Sequence, residues 1–394
     1  MIYKKNCSIL REKLMKKIAI IGAGISGLFI ANLFKRSSNY QITVYEKNLS
    51  IELDEGYGIQ LSVNSVNLLN QIGFDKFKNV QKFNPDIINF YSIKSSNKIC
   101  DLNISDYNLA NCKYTTLKRS ELIKFLKTDL ENLIKTNHNI SKIDQQNQKI
   151  RLIFENNEIS ECDHLIISDG VFSKSKSLIL KNQNLPKYNK TLAIRGIIPI
   201  SQKINCTNIS LFLGPDFHYV IYPVNQNGDL NFIAIMKYKL NKEEQKNHSL
   251  FNDANFIKRI LDKVPIEMRE FLDQIKKLKI FPVFVSDSFF KTKNNNMHLI
   301  GDAFFAFPPS FAQGASQSIE SSYELFQSIE NNTESNFFRN RLNKTRMVNN
   351  RSKINQFAFH LSNPLTRFFR DFFLKRLVKN KKFLENYLGK IYKN

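Results

Sequence analysis

The chain has no tryptophan, few cysteines and no apolar run long enough to span a bilayer. Its five cysteines are Cys7, Cys100, Cys112, Cys162 and Cys206. The number is odd and no two stand at C-x-x-C spacing, so neither a zinc site nor a disulfide framework follows. No metal is expected, and the usage fits a reducing cytoplasm. The first fourteen residues are charged and lack the apolar core of a secretory signal. The apolar run from Ile18 to Ile30 imitates one, but three glycines punctuate it. Stable membrane insertion is therefore not expected.

What is present suits one large or two interlocked globular domains. There are 394 residues, 42% hydrophobic and 12% aromatic, enough for a sizeable core. The formal net charge is +23. The basic residues are spread along the chain without a nucleic-acid motif, which reads as solvated surface and excludes nucleic acid as the expected partner. The positive potential still favours anionic ligands.

The opening pattern is a βαβ unit. Ile18 to Ile21 suits a strand buried on both faces, Leu28 to Phe34 a helix, and Gln41 to Glu46 a second strand. Further on, 65–73 and 119–133 read as helices, and 87–93, 98–102 and 164–168 as strands. From 191 to 237 the runs 191–200, 208–213, 217–224 and 229–237 follow one another through short turns, which predicts an antiparallel sheet. Residues 252–278 read as helical, 297–300 as a strand, and the chain from Ser316 onward as mostly helical.

Gly22, Gly24 and Gly27 form G-x-G-x-x-G between the first strand and the first helix. The first glycine permits the tight turn, the second lets a diphosphate approach the backbone, and the third allows close helix–strand packing. The helix N-terminus then offers free N–H groups to the anion. Glu46, at the end of the second strand, suits a ribose diol, and Lys47 beside it is assigned to the same cofactor. This motif alone does not separate FAD from NAD.

Three later segments do so. They are Leu117 to Leu122, with Arg119 at a helix start; Ile166 to Ser173, a strand ending in Asp169-Gly170; and Leu299 to Ala303, a strand ending in Gly301-Asp302, with Pro309 and Gln313-Gly314 downstream. In this order they resemble the single-component FAD-dependent aromatic hydroxylases of the para-hydroxybenzoate hydroxylase fold. Within that family the segment Gly214 to Val224, the stretch His360 to Pro364 and the ending Tyr387 to Tyr392 are most similar to salicylate hydroxylase-like and 3-hydroxybenzoate 6-hydroxylase-like members.

The resemblance implies an α/β architecture: a Rossmann-type FAD-binding domain, an inserted antiparallel-sheet substrate domain, and C-terminal helices. Residues 15–80, 112–186 and 287–345 would form the first, 81–111 with 187–286 the second, and 346–394 the third, after an N-terminal extension over 1–14. It implies that Arg119, Asp169, Asp302, Pro309 and Gly314 contact FAD. It also implies an NAD(P)H monooxygenase. FAD is reduced by NADH or NADPH and reacts with dioxygen to a flavin hydroperoxide, whose distal oxygen an electron-rich phenolic or hydroxybenzoate-like ring attacks. His218 is the base implied for the phenolic proton. On spacing alone it reads as a structural histidine, but it stands four residues before Tyr222, so both would face one pocket. An ordinary imidazole titrates near pH ~6.5, suitable for that proton. Gln313 suits a hydrogen bond to substrate or flavin. Arg195 fits either a substrate carboxylate or a brace between strands.

The chain departs from the family at Phe305, where a histidine is usual, at Lys176, where an arginine is usual, and at Glu320-Ser321, where an acid pair is usual. These departures bear on nicotinamide handling and substrate choice more than on FAD. Other readings remain: a quinone-precursor hydroxylase, an isoprenoid-type flavoprotein reductase, or a non-catalytic nucleotide-binding protein. A halogenase motif would use tryptophan. Residues 365–394 combine phenylalanines with basic residues, and are expected to pack on the FAD domain rather than lie on a membrane. Monomer and homodimer stay equally open.

Overall fold

The computed structural model describes residues 15–51, 57–146, 149–181, 185–199, 206–272 and 274–393. The expected N-terminal extension, 1–14, lies outside them.

A five-stranded parallel sheet runs in the order Met297–Leu299, His164–Ile167, Lys16–Ile21 (β1), Tyr40–Tyr45 (β2), Ile134–Lys135. Strands sandwiched on both faces read as continuous apolar runs. Accordingly Ile18, Ala19, Ile20 and Ile21 are all buried. The helix Ile25–Lys35 (α1) leaves β1 through the glycine turn and buries Leu28, Phe29, Ile30 and Phe34. Phe34 meets Phe326 of the long Gly314–Glu330 helix edge-on at 5.1 Å.

A seven-stranded sheet has the order Lys276–Val285, Lys187–Ile198, Leu230–Lys237, Phe217–Pro223, Ile209–Gly214, Ile87–Ser92, Lys98–Asn103. It is antiparallel except where Ile209–Gly214 runs parallel to Ile87–Ser92. Those two strands are separated by a long excursion through the parallel sheet, so no hairpin dictates their relative direction. The ribbon Gly58–Leu61 connects the two sheets. Gly58 donates its N–H to Asn231 Oδ1 at 2.6 Å, and Thr116 on the neighbouring strand donates to the Pro223 carbonyl at 2.5 Å.

Three expectations need correction. The helix from 119 stops at Lys127, because Thr128 turns extended and Asp129 adopts a left-handed φ of 69°. Aspartate tolerates that conformation better than most residues. The helical reading of 252–278 breaks into Ala254–Leu261 and Ile266–Leu272, and residues from Lys276 form the edge strand of the large sheet. Pro265, with no N–H to give, separates the two helices. The boundary expected at 346 falls inside one helix, Glu334–Phe359.

The end of the tail packs into the core, with Leu388, Ile391 and Tyr392 buried in the same cluster as Leu28 and Phe34. In the Pro364–Leu377 helix only Arg370 is fully buried, while Leu365, Phe368, Phe369, Phe372 and Phe373 face outward.

Candidate active site

The glycine turn is built so that each residue has a distinct steric duty. Gly22 has a φ of +101°, and a Cβ there would lie 2.7 Å from the Ser168 carbonyl oxygen. A Cβ on Gly27 would lie 2.0 Å from the Gly22 carbonyl oxygen. Both must be glycine for the turn to close. At Gly24 a Cβ would meet nothing within 4 Å. The space above Gly24 is a cradle, open to the N-terminus of α1, which has no side-chain cap and no acid in its first turn. Such an end attracts an anion. Glu46 accepts from Ala23 N at 2.9 Å and Asn48 N at 3.0 Å, which fixes the carboxylate beside the turn. Lys47 is exposed, and neither it nor Glu46 lines the cavity.

The cradle opens into a cavity of about 940 Å³ that runs between the two sheets. Gly24, Arg119, Asp302, Pro309, Gln313 and Gly314 line one part of it. Arg195, His218 and Tyr222 line another, together with Gln60 and Tyr114. Burial pushes the Asp302 carboxyl up to about 6, with Arg119 pulling the other way. By surface area Asp302 is exposed at the cavity wall, although protein surrounds it closely enough to raise its carboxyl. Gly314 opens the long helix, and a Cβ there would again meet nothing within 4 Å. Before it, Ala312 holds a left-handed φ of 51°.

Gln313 is 2% exposed. Gln317 Nε2 donates to Gln313 Oε1 at 3.2 Å and to Glu320 Oε1 at 2.8 Å, while Gln317 Oε1 accepts from Arg341. This relay occupies the Gln313 oxygen and leaves its amide N–H group, buried in the cavity wall, free of the relay. That Nε2 has no acceptor among the described residues. Glu320 stands in a buried cluster with Arg341, Lys344 and Asn64. It is therefore a structural acid behind the cavity wall.

Asp169 departs from its expected position. One carboxylate oxygen accepts from Ser175 N at 3.0 Å, the other is buried without a partner, and the side chain does not line the cavity. Its neighbours Ser168 and Gly170 do.

On Phe217–Pro223, His218 and Tyr222 both line the cavity. The Tyr222 side chain stands beside Gln60 and Asn231, and Gln60 Oε1 accepts from the Tyr114 hydroxyl at 2.8 Å. Burial raises the Tyr222 pKa against the pull of Arg195, so Tyr222 stays protonated. Arg195 donates to the Gly58 carbonyl at 2.9 Å and lies over the Tyr57 ring at 5.0 Å.

His218 is not an ordinary imidazole. It is 2% exposed, and its Nδ1 lies 2.7 Å from Nε2 of His360. The Ile235 carbonyl, which can only accept, favours a proton on the His360 ring. With the His360 proton turned toward Ile235, His360 Nε2 would accept from His218 Nδ1–H and leave His218 Nε2 bare. Burial, with His360 next, holds His218 well below the usual histidine range, and burial brings His360 to about 4. The premise of a pKa near neutrality fails, so His218 is a hydrogen-bond acceptor before it is a strong base. His360 was visible in sequence only as part of a resembling stretch. Gln60 and Tyr114 carried no signal of their own.

The matches to known proteins agree with this geometry. Residues 15–334 match the family model of an FAD binding domain. A 6-hydroxynicotinate 3-monooxygenase of Bordetella bronchiseptica is 23% identical over 80% of this chain and 82% of its own. A salicylate hydroxylase of Pseudomonas putida is 23% identical over 80% and 77%. Among solved structures, Klebsiella pneumoniae HpxO complexed with FAD and uric acid superposes with a TM-score of 0.82 at 15% identity, covering 95% and 97%. A salicylate hydroxylase substrate complex gives 0.76 at 18%, covering 96% of both chains. The open cradles at Gly24 and Gly314 and the unpartnered amide of Gln313 fit a long dinucleotide cofactor with a flat ring at its end.

Proposed function

Because the chain belongs to the family of this FAD binding domain and is an FAD-dependent monooxygenase, we propose that it hydroxylates a small phenolic or hydroxybenzoate-like ring with NADH or NADPH and dioxygen. One cavity carries the proposal: it joins the glycine cradle to a pocket lined by His218, Tyr222 and Arg195.

FAD, when bound, supplies the activation of dioxygen. Gly24 and the start of α1 hold its diphosphate, with Arg119 and Asp302 along the chain that follows. Pro309 and Gly314 would hold the ring, and Gln313 would offer it, or the substrate, an N–H donor. Glu46 takes the ribose hydroxyls. Asp169 acts only through the backbone of the Ser168–Gly170 turn.

On the other side, bare Nε2 of His218 accepts a hydrogen bond from the phenolic hydroxyl. That draws electron density into the ring and makes it more nucleophilic. Tyr222, held protonated, donates a second bond to the substrate. Arg195 meets a ring carboxylate. The apolar walls exclude water from the reacting atoms.

The test is a purified protein with a flavin absorption spectrum and a screen of phenolic acids for stimulated NADH or NADPH oxidation, with product identified by mass. Expected is substrate-dependent consumption with one oxygen atom added. A colourless protein that refuses FAD, or consumption without oxygen insertion, refutes the reading. Arg195→Ala should raise KM at least about tenfold for a carboxylated ring and little for an uncharged one.

A further inference from the structure

We infer that the Pro364–Leu377 helix docks this protein on an anionic bilayer surface. In an amphipathic helix at a protein surface, the apolar stripe faces the core. Here the stripe is inverted. Leu365, Phe368, Phe369, Phe372 and Phe373 recur at i, i+3, i+4, i+7 and i+8, so they form one face. They are 64%, 65%, 47%, 42% and 55% exposed. The opposite face carries Arg370, buried, with Leu374 and Leu377 partly buried beneath. Apolar exposure on this scale marks an interaction site.

Charge selects the partner. From 364 to 394 the chain carries nine basic residues against two acidic. Lys375, Arg376, Lys379, Lys381 and Lys382 are exposed beside the aromatic stripe. A second copy of this chain would bring the same basic rim against itself, which like-charge repulsion disfavours. An anionic lipid surface satisfies both features at once: aromatic side chains enter the interface and basic ones meet the headgroups. No helix among the described residues is long and apolar enough to cross a membrane, so the contact is peripheral.

The cavity points to the same surface. Its apolar end lies under these helices, walled by Phe359, Leu374, Leu377, Val378 and Leu384. Ile354, which also lines it, is 58% exposed and stands at its rim. On the hydroxylase reading, a ring with apolar substituents dissolved in the bilayer interface would enter there.

The test is co-sedimentation of the full chain with vesicles of phosphatidylcholine and phosphatidylglycerol in equal parts, against phosphatidylcholine alone. The comparison variant is Phe368→Ser/Phe369→Ser/Phe372→Ser/Phe373→Ser, whose exposed positions leave the core intact. Expected is binding to the anionic vesicles that salt weakens, at least about tenfold stronger than to neutral ones and lost by about tenfold in the variant. The variant should keep its flavin spectrum and its oxidation of NADH or NADPH with a water-soluble phenol. Absence of vesicle binding, or equal binding by the variant, overturns the inference. So does a wild-type dimer that the four substitutions dissociate, since the face would then be a self-contact. Vesicle binding by a colourless protein would uphold docking while the flavoenzyme reading alone failed.

Discussion

His218 Nδ1 and His360 Nε2 lie 2.7 Å apart between two buried rings, close enough to share one proton. His360 is thus a positioning residue. Replacing it with leucine strands a buried N–H, at a cost of about 1–3 kcal/mol, and frees His218 to turn its proton toward the cavity. His360→Leu should lower kcat for a phenolic substrate roughly tenfold to a hundredfold. KM should change less, and the flavin spectrum should be unmoved. His360→Gln, whose side-chain oxygen restores an acceptor, should recover part of the loss. Equal kcat in wild type and His360→Leu would remove His360 from the mechanism.

The glycines at 24 and 27 should fail in different ways. Gly27→Ala forces a Cβ against the Gly22 carbonyl, so denaturant unfolding should show a loss of about 1–3 kcal/mol. At Gly24 the backbone is extended, with φ −84° and ψ −172°, and the added side chain enters open space. Gly24→Val should therefore stay within about 0.5 kcal/mol of wild type without cofactor, yet lose bound flavin. Absorbance per protein and the unfolding midpoint separate the two.

The glycine turn was legible because its spacing, strand and helix are contiguous in sequence. So was the shared face of His218 and Tyr222, four residues apart on one strand. The pairing of His218 with His360 joins residues 142 apart, and no local pattern announces it. The same holds for Gln60, brought to Tyr222 by the ribbon between the sheets. The edge strand from Lys276 was hidden because its lysines follow a helical run without a breaker. The tail's mixture of phenylalanines and basic residues was visible, but composition cannot say which face meets water.

Acid should destabilise the protein before its carboxylates titrate. Burial holds His360 at about 4 and His298 at about 3, both below the ordinary histidine value. Their folded pKa values are depressed, so the unfolded chain binds more protons below about pH 6.5 and stability falls with pH. Each contributes a loss of roughly 3 kcal/mol between pH 6.5 and 4. Asp302 acts in the opposite sense over the same range, but it is exposed, and solvent screening makes its effect smaller. The expected result is a melting temperature that declines steadily from pH 7 to 4, with a shallower slope in His298→Asn. A flat profile would place these histidines in wetter surroundings than the structure has.

Asp302 sets cofactor binding against stability. Burial raises its carboxyl to about 6, opposed by Arg119. A raised acid is protonated longer in the folded state than in the unfolded, so folding loses stability as pH climbs from about 3.8 through 6. At pH 8 the empty protein therefore carries a carboxylate that would rather be in water. Asp302→Asn removes that cost and should raise the melting temperature of the flavin-free protein at pH 8, with little change at pH 4. The amide keeps one acceptor but loses the charge that strengthens a hydrogen bond from a cofactor hydroxyl. FAD affinity should fall about tenfold, read by flavin fluorescence on titration. A variant less stable at pH 8 would mean that Arg119 outweighs burial, and a variant with full FAD affinity would remove Asp302 from the cofactor's contacts.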